Sequence, residues 1–332
     1  MHTPPFSAGA FRALGEEFAS ATVVASLVNP QIERINRALV ETLRLSSAEL
    51  PEDDFKRIFS GNDRDANTNA FAQAYAGHQF GNFNPFLGDG RTATIGDIQF
   101  DNQTMEVQFK GSGKTPYGFR SDGRLGVEEG GHEFDLCEKL SALNVPVSKC
   151  LCLLSGDDQV YRSGFQRSAV LTRLAPTHVR FGTFELCFFR RNTADLKTLA
   201  DFVIARCFPE LDAEPDDDNR YYLFLDKVIT RTAELIAAWM SSDFVHGMMN
   251  TDNMSIVGIT LDLSESRFLS DDRERSSRIE LRMRERYQYD NQPTIGLWNC
   301  NVLARALSPI IPEHRIRDAL SRYEATYLKA AG

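Results

Sequence analysis

The sequence lacks any run of about 18 apolar residues, the length that crosses a bilayer as a helix. Its first residues, MHTPPFSAGAFRALGEEF, lack the basic start and apolar stretch of a secretory signal. Both absences point away from membrane and export, and a cytoplasmic location is expected. A basic excess is also missing: 37 Lys and Arg stand against 46 Asp and Glu, a formal net charge of −9. That argues against a nucleic-acid or anionic-membrane binder, either of which needs a basic face, while leaving room for local phosphate sites. Paired CxxC spacing is absent too. Cys137, Cys150, Cys152, Cys187, Cys207 and Cys300 offer only one CxC, which favours buried reduced thiols over a zinc site or disulfides. No internal repeat is present.

What is there suits an ordinary globular chain of 332 residues, long enough for one large core or two modest ones. Residues 8–45 carry helical patterns, notably NPQIERINRALVETL, where Asn29 and Pro30 suit a helix start and Ile32, Ile35, Leu39 and Leu43 share one face. Residues 61–98 are too rich in Gly and Asn for one element, although NAFAQAYAG reads as a short helix ending at Gly77. RTATIGDIQF and TMEVQFKG read as strands joined at Asp101 to Gln103, and QVYRSG and SAVLTRLA as further strands. Between these pairs HEFDLCEKLSALNV reads as a helix with Phe134, Cys137, Leu140 and Leu143 on its apolar side.

From about residue 190 the pattern turns helical: TADLKTLADFVIARCF, RYYLFLDKVITRTAELIAAWMSS, IGLWNCNVLARALSPII and EHRIRDALSRYEATYLKAA, with PELDAEPDDDNR an acidic surface loop. Leu297 and Trp298 are expected in the core. Strands leading into helices predict an α+β chain of two lobes with a ligand in the cleft between them. The expected division is a helical extension over 1–60, a nucleotide-binding N-lobe over 61–190 and a helical C-lobe over 191–332.

Chemistry concentrates in HGMMNTDNM, residues 246–254. Asp252 and Asn253, with Asp262 at the end of the alternating run SIVGITLD, offer hard oxygens of the kind Mg²⁺ takes; Asn250 and Asp252 as plain turn caps are the alternative. Lys110 ends the strand MEVQFK where a phosphate-binding lysine would sit, and Glu133 on the next helix is available to hold it; a solvated strand-end lysine is the alternative. Strand Lys, helix Glu, late Asp and Asn, then a further Asp follow the order of a protein kinase, yet the strings HRD and DFG are both missing.

The strings YAGHQFGNFNPFLGDGR, KGSGKTPYGFRSDGR, HGMMNTDNMSIVGITLD and YDNQPTIGLWNCNVLARAL resemble those of the selenoprotein O family, also called the YdiU family, from about residue 60 to 310. The resemblance implies a protein-kinase-like bilobed fold and a protein adenylyltransferase, in which ATP lies reversed so that AMP passes to a Ser, Thr or Tyr hydroxyl of a protein. It implies that Gly88, Gly90, Arg91, Lys110, Asp122 and Gly123 lie against ATP, that Glu133 pairs with Lys110, and that Arg173 and Arg180 bind the polyphosphate. Asp252 would be the general base, and Asn253 and Asp262 would hold Mg²⁺, with Mn²⁺ equally suited to oxygen ligands. His246 would organise its loop, and Met248, Met249 and Met254 would pack around it. His78 receives no role. The implied partners are ATP and protein substrates, with neither nucleic acid nor membrane, and oligomeric state is left open.

Three departures from the family pattern support an alternative, a catalytically impaired nucleotide-binding pseudokinase or scaffold; phosphoryl transfer is a lesser third option. After Asp262 the expected glycines give way to LSESRFLSDDRERSSRIELRMRER, with seven arginines, which reads as a divergent solvated helix or as two compensating frame changes in the gene. Glu128, Glu129 and His132 stand in LGVEEGGHEF where the family favours phosphate, and should weaken ATP binding. The family's further C-terminal region is not in this chain, which would expose apolar surface of the C-lobe.

Overall fold

The architecture is that of a computed structural model, which describes residues 4–46, 48–119, 121–271 and 285–332. Contacts divide the chain into two units: residues 1–74, 87–138 and 148–176 form the first, and 75–86, 139–147 and 177–332 the second.

The first unit is built on an antiparallel sheet. The strands are β1 (Ala19–Ala21), β2 (Gln31–Ile35), β3 (Phe71–Gln79), β4 (Asn82–Gly88), β5 (Thr92–Phe100), β6 (Gln103–Lys110), β7 (Leu125–Gly126), β8 (Lys149–Tyr161) and β9 (Phe165–Ala175), of which residues 75–86 of β3 and β4 fall in the second unit. The order is β1-β3-β5-β6-β9-β8-β2, with β4 on β3 and β7 on β9. The β5–β6 hairpin closes as its sequence predicts, Phe100 opposite Gln103, with Asp101 in the left-handed region that Asp tolerates.

Alternation along TMEVQFK decides the rest. Met105, Val107 and Phe109 enter an apolar core with Leu39 and Val40 of α1 (Arg37–Thr42) and Phe55, Ile58 and Phe59 of α2 (Glu52–Phe59). The opposite face carries Glu106, Gln108 and Lys110, which solvent would normally cover, yet these are at most 2% exposed. The helix α4 (Val127–Ala142) supplies Glu133 to that polar layer and buries Phe134, Cys137 and Leu140; Leu143, expected on the same face, lies past the helix and is 48% exposed.

Two helical readings are corrected. Residues 31–35 are strand, not helix: β2 pairs with β8, Ile32 opposite Leu154, and the helix begins only at Asn36, whose Oδ1 accepts from Leu39 N at 2.8 Å. β-Branched Ile32 and Ile35 suit that pleated surface, and pairing outweighs helical spacing. NAFAQAYAG is likewise strand β3, whose residues from Phe71 to Ala76 are all buried. Alanine there reflects limited room rather than helix propensity.

In the second unit the expected helices form as α6 (Thr193–Cys207), α7 (Asp217–Ser241) and α8 (Gln292–Leu307), while the expected last helix breaks at Arg322 into α9 (Glu313–Ser321) and α10 (Tyr323–Ala331); α5 (Phe181–Phe189) was not expected, and α3 (Arg64–Asn67) is a single turn in the first unit. Asn192 caps α6 through its Oδ1, and Asp216 caps α7, each satisfying first-turn N–H groups. Val228, Ile229, Leu235, Ile236 and Trp239 of α7 are buried. Leu297 and Trp298 of α8, expected in the core, are only half-buried. The segment after Asp262 is not solvated at its start: Leu263 and Phe268 are buried, and Phe268 pairs with Phe244 as β11 (Arg267–Phe268) meets β10 (Phe244–Val245). The remainder of that expectation, residues 272–284, lies outside the described residues. Among the described residues no helix is long and apolar enough to cross a membrane.

Among the described residues no disulfide links the six cysteines, and only Cys207 is more than marginally exposed. Burial pushes Cys152 and Cys300 up to about 12 and Cys150 well above its usual range. A thiol reagent at neutral pH is therefore expected to label Cys207 rapidly and the other five only on denaturation, as mass spectrometry of the labelled peptides would check. Rapid native labelling of Cys150 or Cys152 would contradict the burial.

Candidate active site

In the first unit the polar face of β6 forms a buried network. Lys110 Nζ donates to Glu133 Oε2 at 2.5 Å, and Arg173 Nη1 donates to Glu133 Oε1 at 3.1 Å. Arg173 stands directly opposite Gln108 across the β6–β9 ladder and donates to its Oε1 at 2.9 Å. One carboxylate thus holds two cations, each at most 2% exposed. The sequence expectation for the Lys110–Glu133 pair is met in geometry, and Arg173 joins it.

The glycine-bearing strings gather at the same strand ends. Thr92 pairs with Lys110, and Gly111 N donates to Arg91 O at 2.8 Å, which sets LGDGR beside the lysine. Gly113 N donates to Gly123 O at 3.0 Å; a Cβ on Gly123, whose φ is +73°, would meet Gly113 C at 2.0 Å, so the fold-back needs glycine there. Asp122 instead engages Arg162 through two 2.9 Å contacts, and that guanidinium lowers its carboxyl below the usual range. Arg91 is held by Glu129 at 2.6 and 3.1 Å.

Asp89, between the two glycines, was not singled out from the sequence. It is 3% exposed, its Oδ2 accepts from Gln73 N at 3.2 Å, and its carbonyl accepts from Thr115 Oγ1 at 2.5 Å. A carboxylate flanked by glycines in LGDGR was the available signal.

In the second unit Asp252 and Asn253 lie on a short 3-10 turn, Thr251–Asn253. Asp252 Oδ2 accepts from Gln79 Nε2 at 3.0 Å, while Oδ1 has no hydrogen-bond partner among the described residues. Burial pushes its pKa up to about 6, against the opposing pull of Gln79 and of Arg180. Gly77 lets this side chain in, since a Cβ there would stand 2.7 Å from Asp252 Oδ1. Neither Gln79 nor Gly77 had a site role in the sequence reading, although both lie in AGHQFG.

Arg180 ties the loop to the last carboxylate: its Nη1 donates to Asp252 O at 2.6 Å and to Asp262 Oδ2. Asp262 takes the left-handed conformation itself, φ 56° and ψ 71°, and so makes the sharp turn without a following glycine. Asn253 Nδ2 donates to Met248 O at 2.9 Å, which turns its Oδ1 away from that contact. His246 organises the loop: Nε2 donates to Leu261 O at 2.9 Å and Nδ1 accepts from Met248 N at 3.3 Å, a neutral tautomer consistent with a pKa lowered by burial. Met249 and Met254 are buried beside it, Met248 partly so.

The model of one known family, described as Protein adenylyltransferase SelO, matches residues 5–331. The chain belongs to this family. Among its curated relatives are the proteins named Protein nucleotidyltransferase YdiU of Stutzerimonas stutzeri strain A1501 (39% identical, covering 96% of this chain and 66% of the relative), Pseudoalteromonas atlantica (36%, covering 94% and 65%) and Bacillus cereus ATCC 14579 (36%, covering 96% and 66%). The chain therefore spans just under two thirds of the length of these SelO-family relatives. A solved chain described as WaaP in complex with acyl carrier protein is similar at 12% identity and a TM-score of 0.27, covering 85% of this chain and 98% of that one, a likeness too slight to argue from.

Among the described residues no three His, Cys, Asp or Glu side chains converge into a ready-made metal cage. The donor set of the SelO-family loop is instead sparse and all oxygen: Asn253, Asp262 and the unpartnered Asp252 Oδ1. Such a set fits Mg²⁺, which ordinarily takes one or two carboxylates and completes its shell with phosphate and water.

Proposed function

We propose that this chain transfers AMP from ATP to a Ser, Thr or Tyr hydroxyl of a protein, with Asp252 as general base. The observation that carries the reading is Asp252 itself: buried, raised to about 6, with one oxygen unpartnered, on the same loop as Asn253. A base near that value is ionised at neutral pH yet basic enough to take a hydroxyl proton. In the reaction the hydroxyl oxygen bonds to the α-phosphorus, its proton passes to Asp252, and the bond from the α-phosphorus to the bridging oxygen breaks to release pyrophosphate. Asn253 and Asp262 would hold Mg²⁺ (or Mn²⁺), which when bound neutralises charge on the phosphates. Lys110, Arg173 and Arg91, with Gly88, Gly90, Asp122 and Gly123, would bind ATP, and Arg180 would add charge toward the polyphosphate besides steadying Asp262.

The test uses ATP labelled at the α- or the γ-phosphate, with Mg²⁺ and a protein acceptor. Label from the α-position alone is expected, with a rate that rises through an inflection near pH 6 as Asp252 loses its proton. Label from the γ-position alone would mean a kinase.

A second reading, an impaired nucleotide-binding scaffold, is favoured by one contact. Glu129 occupies the Arg91 fork, so a phosphate has to compete for it. Glu129→Ala is accordingly expected to tighten ATP binding about three- to ten-fold by calorimetry. An unchanged affinity would remove Arg91 from the ATP site.

A further inference from the structure

We infer that the second unit carries a separate ligand site for a small amphiphilic anion, an apolar or aromatic body bearing one carboxylate, sulfonate or phosphate. The site is a cavity of about 680 Å³, within the range that holds a small organic ligand, and its lining includes none of Arg180, Asp252, Asn253 or Asp262.

The local sequence explains both halves of that chemistry. FELCFF ends α5 with Phe188 and Phe189, and the chain turns at Arg191, φ 55°, into α6 with Asn192 and Thr193 at its start. The turn leaves Phe189 49% exposed, its ring 5.4 Å from that of Phe83, which is itself 38% exposed. From α8, Val302 adds to the apolar wall and Arg305 lies with its guanidinium 5.9 Å over the Phe188 ring. Neither Arg191 nor Arg305 forms an ion pair among the described residues. Both line the cavity, as does the positive end of the 15-residue α6.

Glu185 is the single carboxylate among the lining residues, and it is engaged by His78 Nδ1. Burial further raises the Glu185 pKa, which weakens its opposition to an incoming anion. The balance of charge at the cavity is therefore positive, while its apolar wall is made by Phe83, Phe188, Phe189, Leu196 and Val302. A neutral apolar ligand would waste the arginines, and a bare inorganic anion would waste the phenylalanines. The site also touches the reactive loop at Thr251, next to Asp252: the backbone N–H of His78 donates to Thr251 Oγ1 at 2.7 Å, and the Thr251 hydroxyl hydrogen-bonds the Glu185 carboxylate.

The probe is 1-anilinonaphthalene-8-sulfonate, compared with its uncharged relative N-phenyl-1-naphthylamine, titrated by fluorescence against the whole chain. One saturable sulfonate site per chain is expected, weakened at least about ten-fold in Arg191→Glu/Arg305→Glu. Both positions are exposed, so these variants should fold, as melting would verify. The neutral probe is expected to bind about ten-fold more weakly and to ignore the charge changes, whereas Val302→Trp, which fills the cavity, should weaken both probes. Unsaturable binding, or sulfonate affinity unmoved by the double variant, would overturn the site. A wild-type dimer dissociated by Arg305→Glu and by Val302→Trp would show instead that a second copy covers this face, which also overturns it.

Discussion

Asp252→Asn is expected to lower AMP transfer by about 10²- to 10⁴-fold while making the protein more, not less, stable above pH 6. The sign follows from burial. Asp252 has a folded-state pKa of about 6 against an ordinary 3.8, so the folded chain holds this proton more tightly than the unfolded one. Below the ordinary value the carboxyl is protonated in both states and nothing is lost. Between about 4 and 6 folding stability falls as pH rises, and above 6 the full cost remains, about 2–3 kcal/mol. Asn removes that cost and still offers an oxygen to Gln79 Nε2. Melting curves of wild type and variant should coincide near pH 3.5 and separate by several degrees at pH 8, roughly what about 2 kcal/mol gives in a chain of this size. A variant that keeps wild-type transfer activity would end the base assignment; one whose stability gap does not grow with pH would end the burial argument.

Glu133→Ala is expected to be the most destabilising single change in the first unit. Glu133 is 1% exposed and holds both Lys110 and Arg173, so its removal strands two buried cations without their shared carboxylate. Breaking such a pair from one side costs about 3–5 kcal/mol, which corresponds to a fall in Tm of roughly 5 °C in a chain of this size. The double variant Lys110→Met/Glu133→Leu should regain part of that loss, because replacing both partners by apolar groups removes the desolvation cost along with the attraction. It should also lose ATP binding, which separates the structural role of the pair from its ligand role. Denaturant melts and calorimetry on the three proteins check both points. Full stability in Glu133→Ala would show that other groups neutralise the cations.

The Glu133 cluster also marks how far one-dimensional reading reaches. Period-2 alternation in TMEVQFK places Glu106, Gln108 and Lys110 on one face, and the helical period of HEFDLCEKL sets Glu133 on the same buried face as Cys137, four residues on; both follow from local geometry. Burial of that polar face does not, since it requires α4 and β9 to cover it. The same limit accounts for β2 and β3. Their spacing and alanine content favour helix locally, and only pairing with distant strands, Ile32 with Leu154 and Phe71 with Thr94, makes them strand.

The sequence by itself determined the α+β class, the β5–β6 hairpin, the long helices α6 and α7, and, through its strings, the SelO family. Each of these is written in residues a few positions apart. Tertiary structure alone decided that Asp252 is a buried carboxylate raised to about 6, because Gln79 and Gly77, which receive it, lie more than 170 positions earlier. It decided that Arg180 is spent partly on Asp262, that Arg91 is held by Glu129, and that Phe83, Arg191 and Arg305 meet at one cavity. Electrostatics and burial depend on distance in space, and for these residues the chain order carries no measure of it.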